Sequence, residues 1–450
     1  MRKLALFRFV FVSSRWLRER LTPGGLVIVA LSGFAGAFGL DTQSNLAHVV
    51  FSLGVSLVAV DAAAAALLRR RAPRLAVRRH LPEFLTCGQS ARYRIDVRND
   101  GPTPAPACFL VEQLRQPWPS PAALQHHRGQ VTTNRFDRRI GYPAFLDMLR
   151  RLRALDVERV ALSALLPGQR VDIDVAAQPT ARGLAVFESL WLVMTGPLGL
   201  VETRVPVAAS AATLPVLPVR LPVELPAASS HRLLQPNGIS LALHVGDSEE
   251  FRSLRDYRPG DPLRAIHWRS FAHTGKPLVR EFQEEFFSRH ALVLDTAAPY
   301  PFAPAFETAV SMAAWLVARP RDADSLLDLM FVGDRVHRLT AGRGLGGADA
   351  LLRVLATVAP TPAESIEPLL ATLERNAAQV PSLVAIFLVW DERRQNAVRR
   401  LLARGVRPVV LIMEQEGTSP AADDAGFAGI LRRIVIPATL AETPAAMPAP

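Results

Sequence analysis

The chain opens on two long apolar stretches. Residues 24–40 run for seventeen positions without a charge, residues 41–45 are polar, and residues 46–68 run for twenty-three positions with a single charge, Asp61. A bilayer core takes roughly 20 apolar residues per helix, so the pattern predicts a two-helix transmembrane hairpin over residues 23–69. Gly33, Ala35, Gly36, Ala37 and Gly39 allow close helix approach in lipid. Residues 1–22 mix Phe7, Phe9, Phe11, Trp16 and Leu17 with Arg8, Arg15 and Arg18, a basic amphipathic arm suited to an anionic lipid surface.

Beyond a basic linker over residues 70–85, the period changes to two. Residues 91–98 and 171–175 alternate, and Asn99-Asp100-Gly101 is a hairpin-type turn, so residues 86–208 read as a β-sandwich-like domain. Residues 116–158 interrupt it with a Pro- and Arg-rich insertion, helical near 145–155. Pro215, Pro218, Pro222 and Pro226 then make residues 209–236 a stiff connection. From residue 290 to 440 apolar runs alternate with amphipathic stretches: strands over 291–294, 326–332, 383–390 and 409–413, helices over 305–319, 348–358 and 396–404. That order predicts a doubly wound α/β domain whose sites lie at the carboxyl ends of its strands, followed by a tail over 441–450. The fold class is therefore multidomain: transmembrane hairpin, β-sandwich-like domain and α/β domain.

Charge changes the picture chiefly by where it sits. The net charge is +11, but residues 1–80 carry twelve basic and three acidic residues, a net of +9. The remainder is close to neutral and offers no large basic face, so nucleic acid is not an expected partner. Basic residues flank both apolar stretches and the loop between them carries only Asp41, which places both termini and the soluble domains in the cytoplasm by the positive-inside rule. Asp61 falls near the basic end of its stretch, where a local partner satisfies it; a proton-relay role is the sharper alternative. Cys87 and Cys108 have neither disulfide-framework nor metal-site spacing.

Residues 237–289 form a central motif. Between Asp247 and Arg289 there are eight acidic and eight basic residues, interleaved with seven aromatic ones. Pro259-Gly260-Asp261-Pro262 reads as a turn opening a short helix to about residue 272, with Asp261 capping its amides and Leu263, Ile266 and Phe271 turned inward. A half-buried strand over 277–282 follows. Arg255-Asp256-Tyr257-Arg258-Pro259-Gly260-Asp261 and Arg264-Ala265-Ile266-His267-Trp268-Arg269-Ser270-Phe271-Ala272 closely resemble the signature of the bacterial membrane-protein family catalogued as domain of unknown function 58. The resemblance implies an inner-membrane protein with a von Willebrand factor A-like domain, in a family often encoded beside MoxR-type AAA+ ATPases, and so a MoxR-type ATPase as the expected partner. It also implies motif positions at Arg255, Asp256, Tyr257, Pro259, Gly260, Asp261, Arg264, His267, Trp268, Ser270 and Ala272, and family-like steps at Arg182-Gly183 and Pro197-Leu198-Gly199-Leu200 in the β-rich domain.

Candidate chemistry is sparse. Asp295 and Asp391 fall after apolar strands, a placement that resembles the metal-ion-dependent adhesion site of von Willebrand factor A domains. That pattern wants Asp-x-Ser-x-Ser, and this chain has Asp295-Thr296-Ala297-Ala298-Pro299, without the hydroxyls a hard cation needs. No cofactor is expected; Mg²⁺ at Asp295 and Asp391 is the candidate to test, against carboxylates that cap helices. Residues 342–347 satisfy G-x-G-x-x-G but follow a short polar strand, and read as a flexible turn. Two function classes follow. One is a docking or scaffold protein partnered by a MoxR-type ATPase; the other is a membrane-bound hydrolase using Asp256, Asp261, His267 or His273, with Asp261 orienting His267.

Overall fold

The computed structural model describes residues 2–38, 45–128, 140–225, 251–259, 261, 263–282, 288–298, 303–319, 325–342, 346–362, 365–377, 382–406, 408–415, 424–427 and 429–436. Three helices lead. They are α1 (Arg2–Arg18), α2 (Pro23–Phe38) and α3 (Asn45–Arg70). A Cβ on Gly36 would meet the Phe51 ring and one on Gly54 would meet Ser32 Oγ, so α2 and α3 pack antiparallel with small residues at the contact. The helix from Leu46 to Arg70 is long and apolar enough to cross a membrane; α2 is apolar but shorter, at 16 residues. The loop expected at residues 41–45 lies almost wholly outside the described residues.

The β-rich domain contains β1 (Leu75–His80), β2 (Leu85–Thr86), β3 (Ala91–Asn99), β4 (Cys108–Leu114), α4 (Pro121–Arg128) and α5 (Tyr142–Leu152). It continues with β5 (Leu155–Val157), β6 (Val160–Leu162), β7 (Arg170–Pro179), β8 (Gly183–Thr195), β9 (Glu202–Val207) and β10 (Ala212–Leu217). One sheet has the order β1-β3-β7-β5; the other has β2-β10-β8-β4-β6, with β9 also on β8. Period-two alternation in β3 turns Tyr93, Ile95 and Val97 onto Phe187, Leu192 and Leu214 of the facing sheet. The insertion is helical at α4 and α5. Phe7 and Phe11 of α1 pack on Tyr142, Phe145 and Trp118, so one face of the arm is covered by the β-rich domain. Its other face leaves Leu6, Phe9, Val10, Trp16 and Leu17 exposed.

The central motif is a small module: β11 (Phe251–Asp256), a 3₁₀ turn over Leu263–Ala265, α6 (Trp268–Thr274) and β12 (Leu278–Phe282), with β11 and β12 antiparallel. The α/β domain then runs β13 (Ser288–Leu294), α7 (Pro304–Ala318), β14 (Ser325–Val332), β15 (Val336–Ala341), α8 (Ala348–Thr357), α9 (Ile366–Asn376), β16 (Ser382–Phe387), α10 (Glu392–Ala403), β17 (Val409–Gln415) and β18 (Leu431–Ile436). Its sheet order is β15-β14-β13-β16-β17-β18, parallel throughout except for edge strand β15. Apolar cores lie on both faces: α7 and α8 cover one through Phe306, Val310 and Leu355, and α9 and α10 cover the other through Leu369, Leu373, Val398 and Leu401. The sheet is doubly wound, and its order reverses between β13 and β16. Gly342 ends β15 where a Cβ would come within 2.3 Å of the Ser325 carbonyl oxygen, so close strand approach explains that glycine; residues 343–345 lie outside the described residues.

Candidate functional site

In the central module, alternation along β11 brings Arg255 opposite Val279 on β12. Its guanidinium forms a bidentate pair with Asp261, Nη1 to Oδ2 at 2.7 Å and Nη2 to Oδ1 at 2.7 Å. The Arg258 amide donates to the same carboxylate at 2.8 Å. Those hydrogen bonds, Arg255 first, hold the Asp261 carboxyl down to about 2. Asp261 therefore closes the turn that precedes the helix and does not cap the helix amides. The helix also starts later than the sequence pattern suggests, at Trp268, after the 3₁₀ turn. Ile266 is buried and bridges Val279, whereas Leu263 and Phe271 face solvent. The reason is local: two short helical segments at a turn have no continuous face to bury. Gly275, at φ +67°, ends α6 in the left-handed region that favours glycine.

The other motif positions are distributed around this turn. Tyr257 donates its amide to the Pro277 carbonyl at 3.0 Å, and His267 donates its amide to Leu278 at 2.8 Å. His267 Nδ1 lies 2.6 Å from Ser270 Oγ on the next helical turn. Asp256, Pro259, Trp268 and Ala272 are exposed. Arg264 lies in the 3₁₀ turn, its side chain outside the described residues together with Gly260 and Pro262. His273 is exposed at the end of α6. With the Asp261 carboxylate turned to Arg255 and Arg258, the structure gives the His267–Ser270 pair no carboxylate partner among the described residues.

At the reversal point of the α/β sheet, Asp295 follows β13 and is fully buried. Its Oδ1 accepts from the Ala297 amide at 2.9 Å; its Oδ2 accepts from the Leu388 amide at 3.1 Å and from Arg394 Nε at 2.9 Å. Asp391 is the N-cap of α10. Its Oδ1 accepts from the Arg394 amide at 3.0 Å, and its Oδ2 from Arg394 Nη1 at 2.7 Å. Burial pushes the Asp295 carboxyl up, against Arg394 and the two amides. Nearby, the Thr296 and Thr361 hydroxyls bond each other at 3.0 Å. One guanidinium thus lies between the two carboxylates, where a shared cation would have to sit. The oxygens are committed, and the arrangement does not fit a hard divalent ion, which needs several free ones. Among the described residues no group of three His, Cys, Asp or Glu converges on a point. Arg394 and Thr361 were not singled out by the sequence; a basic residue one turn beyond a strand-end aspartate was the available signal for the first.

Two joints tie the β-rich domain to its neighbours. Asp61 on α3 is fully buried, and its carboxylate accepts from the amides of Leu198, Leu200 and Val201, each at 2.8 Å. Thr22 Oγ1 donates to the Gly199 carbonyl at 2.6 Å beside it. At the other end, Arg182 reaches Glu307 at 2.7 and 3.1 Å and the Leu355 carbonyl at 2.7 Å, across to the α/β domain. Both family-like steps of the β-rich domain are therefore joints. Cys87 and Cys108 are free and buried; burial, with Glu307 adding for Cys87, pushes each thiol up to about 11.

The arrangement defines a multidomain protein with a membrane-competent helix, a β-rich domain and a doubly wound α/β domain. Residues 253–416 match the family described as Protein of unknown function DUF58, which supports that family for this part of the chain. No curated protein matches. Among solved structures the chain is similar to Salmonella alpha-2-macroglobulin reacted with methylamine, at 13% identity over 32% of this chain and 7% of that one, with a TM-score of 0.16. It is also similar to PapD-like domain 7 of human CEP192, at 11% identity over 31% and 85% of the two chains (TM-score 0.17), and to GH20 exo beta-N-acetylglucosaminidase from Vibrio harveyi, at 8% identity over 76% and 57% (TM-score 0.16). Likenesses at these TM-scores carry no argument about fold or function.

Proposed function

We propose that the protein is a membrane-anchored docking scaffold. In this reading α2 and α3 form a two-span hairpin in the inner membrane, with the termini and soluble domains cytoplasmic, and the exposed face of α1 rests on anionic lipid. The α/β domain is von Willebrand factor A-like, and the partner is a MoxR-type AAA+ ATPase. The observation that carries the reading is the pair of joints, Asp61 to the turn at 198–201 and Arg182 to Glu307, which hold hairpin, β-rich domain and α/β domain in fixed succession. Such a chain presents surfaces at a set place relative to the membrane, while its strand-end carboxylates are occupied by Arg394. The test is affinity purification of the full-length protein from mildly crosslinked membranes, wild type beside an Arg255→Ala/Asp261→Ala variant. An ATPase that accompanies wild type and is lost with the variant is the expected result; a reporter fusion that places the α/β domain outside the cytoplasm overturns the reading.

One observation favours a second reading, a hydrolase: the 2.6 Å approach of His267 Nδ1 to Ser270 Oγ, a base beside a hydroxyl. If His267→Ala still complements every phenotype of a deletion strain, that reading ends.

A further inference from the structure

Neither the joints nor the buried carboxylates use the outer face of the central module. Leu263, Trp268 and Phe271 of this module are 65%, 59% and 38% exposed, and the two rings meet edge to face at 6.0 Å. Helix α6 buries none of its own residues, so this face is open along its length. Arg258, Arg269, Lys276 and Arg280 are also exposed in the module. Arg269, Lys276 and Arg280 have no carboxylate partner among the described residues, whereas Arg255 pairs with Asp261 and Arg258 also acts on that carboxylate. Among the described side chains of residues 254–280, Asp256 is the exposed carboxylate that remains.

An exposed aromatic and aliphatic patch on a module with three exposed cations, none of them paired among the described residues, has the anatomy of a protein interface, where Trp, Phe and Arg are enriched and Trp is a frequent hot spot. A phosphate backbone would call for a longer track of cations than this short module carries. We propose that the Leu263–Trp268–Phe271 face docks an acidic segment of a partner protein. An apolar side chain of the segment seats against the two rings, and its carboxylates meet Arg269, Lys276 and Arg280. Charge complementarity of this kind sets partner choice and association rate. The inference rests on the docking reading above and gives it a surface.

The test uses the full-length protein in its own membranes, with a photo-reactive benzoylphenylalanine incorporated at position 263 and, as a control, at position 393 on α10. The expected result is an adduct from position 263 to one other polypeptide whose crosslinked peptide is acidic. Arg269→Glu with Arg280→Glu lowers its yield by about 10-fold, as expected when two cations meet carboxylates. Unchanged protease resistance of that variant excludes misfolding as the cause. An adduct insensitive to the charge reversals overturns the inference. So does an adduct to lipid, to nucleic acid, to a second copy or to residues 226–250 of the same chain, or the absence of any adduct. If the ATPase co-purifies while position 263 captures nothing, the scaffold reading stands and this face is not its site. If position 263 captures a different acidic polypeptide, the face stands and the ATPase assignment falls.

Discussion

Two arginine–aspartate pairs in this chain have nearly the same bond lengths and opposite surroundings. Arg394 reaches Asp295 at 2.9 Å and Asp391 at 2.7 Å, with the Arg394 and Asp295 side chains 4% and 0% exposed. Arg255 reaches Asp261 at 2.7 Å through both nitrogens, with side chains 35% and 16% exposed. The first pair closes the crevice where a doubly wound sheet ordinarily opens to a ligand. The second shapes a turn and leaves the apolar residues beside it in solvent. What separates a plug from a platform here is burial, since the chemistry of the two pairs is the same. A carboxylate at a strand end is thus no evidence of a site until its cation is known.

The largest effect expected from breaking the comparison is at the buried pair. Arg394→Ala leaves Asp295 buried without its cation, and should cost about 3–5 kcal/mol of stability, the usual cost of removing one partner of a buried ion pair. Replacing both, Asp295→Leu with Arg394→Leu, should cost less than the single change, because no orphan charge remains. Thermal and denaturant unfolding of the three proteins in detergent measures the difference. Equal losses would mean that Asp295 is not held as an ion by Arg394.

Asp61 comes next, a buried carboxylate whose partners are amides rather than a cation. Asp61→Ala removes the acceptor of three N–H groups, and at roughly 1 kcal/mol or more for each donor left without a partner it should cost about 3 kcal/mol. It should also free the turn at 196–201 from α3, which limited proteolysis of the β-rich domain in membranes reads directly. Asp61→Asn keeps one acceptor oxygen and should lie between. At the open face the expected effect on folding is small: Trp268→Ala, at a side chain 59% exposed, should shift stability by less than about 0.5 kcal/mol. A large loss there would mean that the face is covered within the folded chain.

Much of the fold was legible because its signals are short-range. Alternation in residues 91–98 specifies β3 with one face buried, and the apolar run before Asp295 specifies a central parallel strand. Helix α9, in a stretch broken by prolines, and strand β18, with Arg432 and Arg433 in it, gave no such run. Strand β16 ends at Phe387 rather than near Trp390, so Asp391 caps the next helix and lies one turn from the arginine that binds it. The site was less legible because its contacts are remote in sequence. Asp61 finds its partners 137 to 140 residues away, and Asp295 finds Arg394 99 residues away. No periodicity encodes such pairings. Within the central motif the balance of acidic and basic residues was legible, but the exposure of Leu263 and Phe271 depends on where a short helix starts, which the pattern placed too early.

The open pair offers the mildest test, by pH. Hydrogen bonds from Arg255 and the Arg258 amide hold Asp261 at about 2, below the ordinary value of 3.8. A depressed carboxyl contributes order to the turn above its unfolded value and loses it as pH falls through its folded value. The turn should therefore persist at pH 4 and loosen only as the pH approaches about 2. Carbon-detected titration of the Asp261 carboxyl should show this low midpoint in the wild type. Arg255→Ala should raise the midpoint, since its largest cause is removed, though not fully, because the Arg258 amide still donates at 2.8 Å. A wild-type midpoint near 4 would mean that the Arg255–Asp261 pair is not formed in solution, and the turn that presents Trp268 would then lack its brace.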